Sequence, residues 1–257
     1  MEAIKYLRQL QEIDDQDPTF YFDLGNCYSE LNLYDKAIPE FEKGLDLFKK
    51  WGSKPFWYGH YTQLGYAYHK TGQYDKEKKL YKRAVQDYPD SPNLYTAQAI
   101  LSFTLSDTVA AKRHIDKYIS LAEGSSSSEA DIKTTLAYIY SEAGNLDKAE
   151  TYYRQALALE PEKLDRLYNL SLFLIDKERN INECMELADM LIKISPDTLA
   201  FKSNLMDVKG WRLYKYGKYK EALVVLKKAD SIEFPYYYSP DLHLHLLEVK
   251  KAIARQK

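Results

Sequence analysis

Apolar and polar positions recur with helical spacing through most of the chain. In residues 136–161, small and aromatic residues return at intervals of three and four: Leu136, Ala137 and Tyr140, then Ala149, Tyr153 and Ala156. Gly144 stands between the two sets, where it can end a helix at positive φ, and Pro161 stops the second helix. The stretch therefore predicts two antiparallel helices joined by a short turn.

The same hairpin pattern recurs along the chain. A small residue after the first helix's hydrophobic position marks each unit: Gly25, Gly65, Ala99, Ala137, Ser171 and Gly210, at intervals of 40, 34, 38, 34 and 39 residues. A second-helix pair follows each marker: Ala37 with Phe41, Glu77 with Tyr81, Ala111 with Ile115, Ala149 with Tyr153, Cys184 with Ala188, and Ala222 with Leu226. Self-similarity at a period near 34 residues indicates a repeat protein.

This order of residues resembles the tetratricopeptide repeat family, whose unit is a 34-residue helix-turn-helix. The resemblance implies an all-α, right-handed superhelical solenoid of antiparallel hairpins with about 14 helices. It places six repeats at 18–57, 58–91, 92–129, 130–163, 164–202 and 203–239 of a single array over 1–257.

Both ends extend the predicted array. Residues 1–17 fit the second helix of a partial repeat, and residues 240–257 fit a C-terminal capping helix, which a terminal hairpin needs to cover its outer face. The partial repeat fits either a boundary inside a longer protein or a natural edge that pairs with a second copy.

Composition narrows the partners and the compartment. Lys+Arg 36 against Asp+Glu 38 gives a net charge of -2, which does not favour nucleic acid or an anionic membrane. No apolar run reaches 18 residues and the first residues form no apolar h-region, so we expect neither a membrane-spanning helix nor a signal peptide in this sequence. Cys27 and Cys184 show no metal or disulfide spacing, and we expect buried free thiols. A cytoplasmic location is favoured, and an exported or periplasmic protein with its leader removed is the alternative.

No catalytic or metal-binding motif appears, so the sequence predicts a protein that is not an enzyme and uses no cofactor. His243 and His245 are closest to a ligand pair, but residues two apart on a helix point about 200° apart. In the serine run at 125–128, a late serine can cap the following helix, with Glu129 and Asp131 in its first turn.

The family resemblance places a concave binding groove on the first helices of the repeats. The predicted partner-binding residues there are Phe22, Asn26, Tyr66, His69, Phe103, Tyr138, Ser141, Tyr168, Asn204, Asp207, Trp211 and Tyr214. Aromatic side chains supply large, rigid contacts at small entropic cost. The alternative for each ring is packing against a neighbouring first helix. The basic clamp by which some family members hold acidic chaperone tails is not expected, because Phe22 stands where that clamp has a lysine.

The predicted function is therefore a protein interaction scaffold that binds a peptide segment or partner protein along the groove. The alternative is the repeat portion of a larger enzyme or of a transport or assembly complex subunit. Self-association through the N-terminal partial repeat is a third possibility.

Overall fold

The computed structural model describes residues 2–177, 179–194, 199–231 and 240–256, although the side chains of several residues within these ranges are not described. These residues form fourteen α-helices and no strand. The predicted all-α fold of about 14 helices is confirmed, and successive helices pair as antiparallel hairpins.

The chain divides into two compact units, Met1–Ser127 and Ser128–Lys257. Each unit has its own helices and its own core, and each is described by itself. The division falls two residues before the predicted boundary between the third and fourth repeats. The single continuous array over 1–257 stays a prediction.

Unit 1 contains a single helix followed by three hairpins. Its helices are α1 (Glu2–Ile13), α2 (Pro18–Glu30), α3 (Tyr34–Lys50), α4 (Gly59–Lys70), α5 (Tyr74–Asp87), α6 (Pro92–Thr104) and α7 (Thr108–Glu123). Helix α2 has proline at its first position, and the Asp17 carboxylate caps it by accepting from the Thr19 backbone N–H at 2.8 Å. Helix α1 packs on α2, and Arg8 reaches across to Glu40 at 2.7 Å.

Unit 2 contains three hairpins followed by a single helix. Its helices are α8 (Glu129–Glu142), α9 (Leu146–Leu159), α10 (Leu164–Asp176), α11 (Ile181–Ile194), α12 (Leu199–Lys215), α13 (Tyr219–Asp230) and α14 (Pro240–Arg255). Helix α12 begins four residues before the predicted repeat start at 203. Helix α14 packs on α12 and α13, where a capping helix is expected.

The turn inside most hairpins contains one residue in the left-handed region. Gly72, Gly144 and Gly217 have φ values of 70°, 75° and 74°, which glycine adopts without the steric cost of a Cβ. Asn32 and Ser106 take the corresponding positions with φ of 56° and 61°. The predicted positive φ at Gly144 is confirmed.

Glycines inside the first helices allow the two helices of a hairpin to approach closely. A Cβ added at Gly65 would lie 2.2 Å from the Tyr81 hydroxyl, and one at Gly25 would lie 2.4 Å from the Phe41 ring. The glycine therefore forms the depression that a large side chain of the second helix fills.

The predicted serine cap at the start of α8 is confirmed. The Ser128 hydroxyl accepts from the Asp131 backbone N–H at 3.1 Å, and the Asp131 carboxylate accepts from the Ser128 backbone N–H at 2.9 Å. Asp131 also pairs with the buried guanidinium of Arg166 on α10. Burial alone would raise the pKa of Asp131, but the hydrogen bonds from Ser128 and Arg166 outweigh burial and lower this pKa to about 2.

We predict that Gly65→Ala destabilises unit 1 by about 1 to 3 kcal/mol, because the new methyl group overlaps the Tyr81 side chain. Gly124→Ala is the matched control, since its Cβ would lie 3.6 Å from the nearest carbonyl oxygens at an ordinary φ of -76°. Urea unfolding followed by circular dichroism measures both. Equal stability of the two variants would contradict the close-approach argument.

We predict that Asp131→Asn lowers the free energy of unfolding at pH 7 and that its difference from the wild type shrinks under acid. The folded pKa of about 2 lies below the ordinary value of 3.8. The stabilisation is therefore present above pH 3.8 and is lost as the pH falls toward 2. Urea titrations across this range measure it, with the exposed Asp116→Asn as the control. A difference that stays constant down to pH 2 would contradict the assignment.

Candidate functional site

Phe22, the first predicted groove residue, belongs to the core of unit 1. Its side chain is 2% exposed and stacks on the His60 ring of α4 with centroids 3.7 Å apart. It also lies close to the Phe41 and Phe48 rings of α3. The prediction that Phe22 contacts a partner is wrong, because packing between the first helices α2 and α4 encloses the ring.

Tyr66 and His69 lie on α4 with their side chains at least partly accessible. Tyr66 is 41% exposed, and its ring meets the edge of the Tyr34 ring at a centroid distance of 6.0 Å. Burial, together with Tyr66, raises the pKa of Tyr34 to about 12. Lys70 places its ammonium 4.9 Å from the Tyr66 ring centroid, within the range of a cation–π contact.

His69 connects two hairpins of unit 1 through its two ring nitrogens. Nδ1 lies 3.0 Å from the buried Glu77 carboxylate of α5, and Nε2 lies 3.4 Å from the Thr104 hydroxyl of α6. Burial raises the pKa of Glu77, and the hydrogen bond from His69 lowers it in part. This network fixes the orientation of the imidazole. Phe103 precedes Thr104 on α6 and is half-buried, as is Asn26 on α2.

In unit 2, Tyr138 occupies the position in α8 that Tyr66 occupies in α4. Each is the ninth residue of its predicted repeat, and Tyr138 is 42% exposed. Ser141, one helical turn further on, is half-buried. On helix α8, the neighbouring apolar residues Leu136 and Ile139 are buried, whereas Tyr138 faces outward.

A polar network centred on a buried carboxylate joins the alternate helices α10, α12 and α14 of unit 2. Asp207 of α12 is 1% exposed and accepts from the Tyr168 hydroxyl of α10 at 3.3 Å. Its other carboxylate oxygen lies 2.6 Å from His245 Nδ1 of α14. The Trp211 ring, 6% exposed, lies between the His245 ring at 4.0 Å and the Tyr214 ring at 4.5 Å.

Two further predicted groove residues are therefore structural. Asp207 and Trp211 are buried by α14, and their assignment to partner contact is wrong. The separation of His243 from His245 is confirmed, since their side chains are 52% and 8% exposed. The side chain of Asn204 lies outside the described residues, so its predicted role stays untested.

The remaining predicted residues define a first-helix surface in each unit. In unit 1 this surface consists of Asn26, Tyr66, His69 and Phe103, and in unit 2 it consists of Tyr138, Ser141, Tyr168 and Tyr214. All eight side chains are exposed or half-buried. The structure describes the surface of each unit separately.

The two cysteines are free thiols. Cys184 is fully buried, as predicted, and donates to the Ser171 carbonyl oxygen at 3.5 Å, whereas Cys27 is only half-buried. Burial raises the pKa of Cys184 to about 12, so its thiol is not a reactive nucleophile at neutral pH. Within the described ranges, no helix is both long and apolar enough to cross a membrane.

Antiparallel hairpins with a small residue in the first helix and a left-handed turn define a helical repeat protein. Tetratricopeptide repeat models match residues 18–50, 59–101 and 130–163. These segments are tetratricopeptide repeats, as the sequence predicts. A fold of this family serves generally as a non-catalytic interaction scaffold.

Three solved structures are similar to this chain to different degrees, and one of them has a TM-score above 0.5. A tetratricopeptide repeat protein from Parabacteroides merdae is 14% identical, with a TM-score of 0.51 over 96% of this chain and 91% of that chain. The C-terminal part of a repeat protein from Cytophaga hutchinsonii is 18% identical, with a TM-score of 0.47 over 100% and 94% of the two chains. YrrB, described as having an unusual peptide-binding site, is 18% identical, with a TM-score of 0.42 over 82% and 97%. A search of curated protein sequences finds no match.

The sequence pattern did not indicate that His245 contacts the core of the last hairpin. Its position on α14 identifies it only as part of a capping helix, and its pairing with Asp207 depends on a contact across 38 residues. The signal available in the sequence is that Asp207 and His245 are polar residues at positions where a purely apolar contact between cap and hairpin would have apolar ones.

We predict that Trp211→Ala lowers the free energy of unfolding by about 3 to 5 kcal/mol, because it empties the space between His245 and Tyr214. Tyr138→Ala removes an outward ring of comparable size and should cost about 1 kcal/mol or less. Urea unfolding by circular dichroism compares them. A similar loss in both variants would assign Tyr138 to the core as well.

Proposed function

We propose that this protein binds a segment of a partner protein on the first-helix surface of each unit. The observation that carries the proposal is the paired exposure of Tyr66 and Tyr138. These two residues hold the same repeat position in different units, and each leaves about two fifths of its side chain accessible. A repeat that keeps a large aromatic side chain facing outward offers an anchor for a ligand.

Polar groups beside the tyrosines support recognition of a peptide. In unit 1, His69 is held between Glu77 and Thr104, so its orientation is set before a partner arrives. In unit 2, Ser141 lies one turn from Tyr138. Such groups can pair with the backbone of a bound segment, while the tyrosine rings bury its apolar side chains.

The buried rings of the same helices support a rigid surface. Phe22 and Trp211 each fill the space between neighbouring first helices and are 2% and 6% exposed. Because these rings fix the spacing of the helices within a unit, the outward tyrosines are presented without a large ordering cost.

Affinity purification followed by quantitative mass spectrometry tests the proposal. The intact protein is compared with a Tyr66→Ala/Tyr138→Ala variant and with a Tyr6→Ala/Tyr216→Ala control, whose tyrosines are 62% and 45% exposed and lie outside the first-helix surface. The first variant should lose the captured partner and the control should retain it. Calorimetry with the purified partner should show a loss of at least about tenfold in affinity.

Circular dichroism of both variants should match the intact protein, so that lost binding reports the surface and not the fold. Equal retention of the partner by the two double variants would overturn the proposal. Capture of the protein's own copies alone would assign the tyrosines to self-association and would also overturn it.

A further inference from the structure

A groove of about 480 Å³ lies on a different face of unit 1, between the second helices α5 and α7. Its rim carries Lys78, Lys79 and Lys82 from α5 and Arg113 from α7. Helix α6 forms the floor between them. Its volume falls within the range of pockets that enclose a ligand.

The groove carries four cations against a single lining carboxylate. All four cations are exposed, and none makes an ion pair in the part of the chain that the structure describes. The one carboxylate that lines the groove, Asp107, caps α7 by accepting from the Ala110 backbone N–H at 2.9 Å, and it offsets only part of the positive charge. The groove therefore presents a local field that favours an anionic ligand, although the whole chain carries a net charge of -2.

The floor is apolar and its polar groups are already satisfied. Tyr81 and Leu101 line it with side chains 3% and 4% exposed. Ser102 donates to the Gln98 carbonyl oxygen at 2.7 Å, and the Gln98 amide donates to the Tyr81 carbonyl oxygen at 3.3 Å. A bulky apolar group can enter here without leaving these donors unpaired.

His114 closes the α7 side of the groove as a neutral side chain. Burial, together with the neighbouring charge of Arg113, lowers the pKa of His114, and Asp107 opposes this shift. At neutral pH the imidazole therefore supplies a hydrogen-bonding group, and the positive field comes from the lysines and Arg113.

We propose that this groove binds an acidic peptide segment that carries one bulky apolar anchor. The anchor packs against the accessible apolar lining residues, the half-buried Val85 and the 43% exposed Leu105, above the buried floor. Carboxylates on either side of it pair with the lysines of α5 and with Arg113. Single-stranded nucleic acid fits less well, because its bases need exposed rings to stack on and Tyr81 is 3% exposed. The site shares no residue with the first-helix surface.

Fluorescence anisotropy with defined probes tests this site. The probe is a labelled peptide of about twelve residues with one leucine between runs of aspartate and glutamate, and its partner has serine in place of leucine. The leucine peptide should bind about tenfold more tightly, the free energy expected for burying that side chain. Raising NaCl from about 50 to about 300 mM should weaken binding.

Matched variants locate the binding. Lys79→Glu/Lys82→Glu should raise the dissociation constant of the leucine peptide by at least about tenfold. The control Lys43→Glu/Lys49→Glu has the same change in net charge at exposed positions of α3, outside the groove, and should change it by less than about twofold. Lys82→Ala/Arg113→Ala, which adds no new charge, should also weaken binding.

The Tyr66→Ala/Tyr138→Ala variant should bind the acidic probe normally, which separates this site from the proposed function. If the groove and control variants weaken binding of the acidic probe equally, the binding reflects general charge attraction, and the proposed site is wrong. Tighter binding of a single-stranded oligonucleotide, with the same dependence on Lys79 and Lys82, would assign the groove to nucleic acid instead.

Discussion

The contact between a small first-helix residue and a large second-helix side chain determines how each hairpin is built. At Gly65 the separation leaves no space for a Cβ, and the Tyr81 side chain fills the position that a larger residue would need. Because interiors are close-packed, this one contact sets the distance and the rotation of the two helices. The same contact determines which side of each helix faces outward. Gly65 faces the Tyr81 side chain, so the side chain of the next residue, Tyr66, points away from the second helix and is exposed.

Positions that depend on local spacing were predictable from the sequence. The alternation of small and aromatic residues identified the hairpins, Gly144 identified a left-handed turn, and the serine run identified the cap of α8. These features arise from contacts within one helix or one hairpin. Such contacts repeat with the sequence period, so a single chain displays them several times.

The candidate surface was predictable only in part, because family position does not determine burial. Phe22 and Tyr66 were both assigned to the groove, yet Phe22 stacks on the His60 ring of the next first helix and is 2% exposed, whereas Tyr66 is 41% exposed. Trp211 is enclosed by His245 from a helix outside the repeat pattern. Contacts between repeats depend on particular side chains, and the period carries no information about them. The cationic groove between α5 and α7 likewise arises from side chains of two separate repeats.

Helix α14 does more than bury the apolar surface of the last hairpin. Its His245 bonds to a carboxylate that is 1% exposed and stacks on a ring that is 6% exposed, so the cap and the last hairpin share one buried polar network. Polar partners inside a core must match in position and in protonation, whereas apolar surfaces tolerate many substitutes. A cap exchanged from another repeat protein would leave Asp207 without its partner. The α12–α13 hairpin is thus specific to the helix that packs on it, and sequence changes on the two sides are coupled.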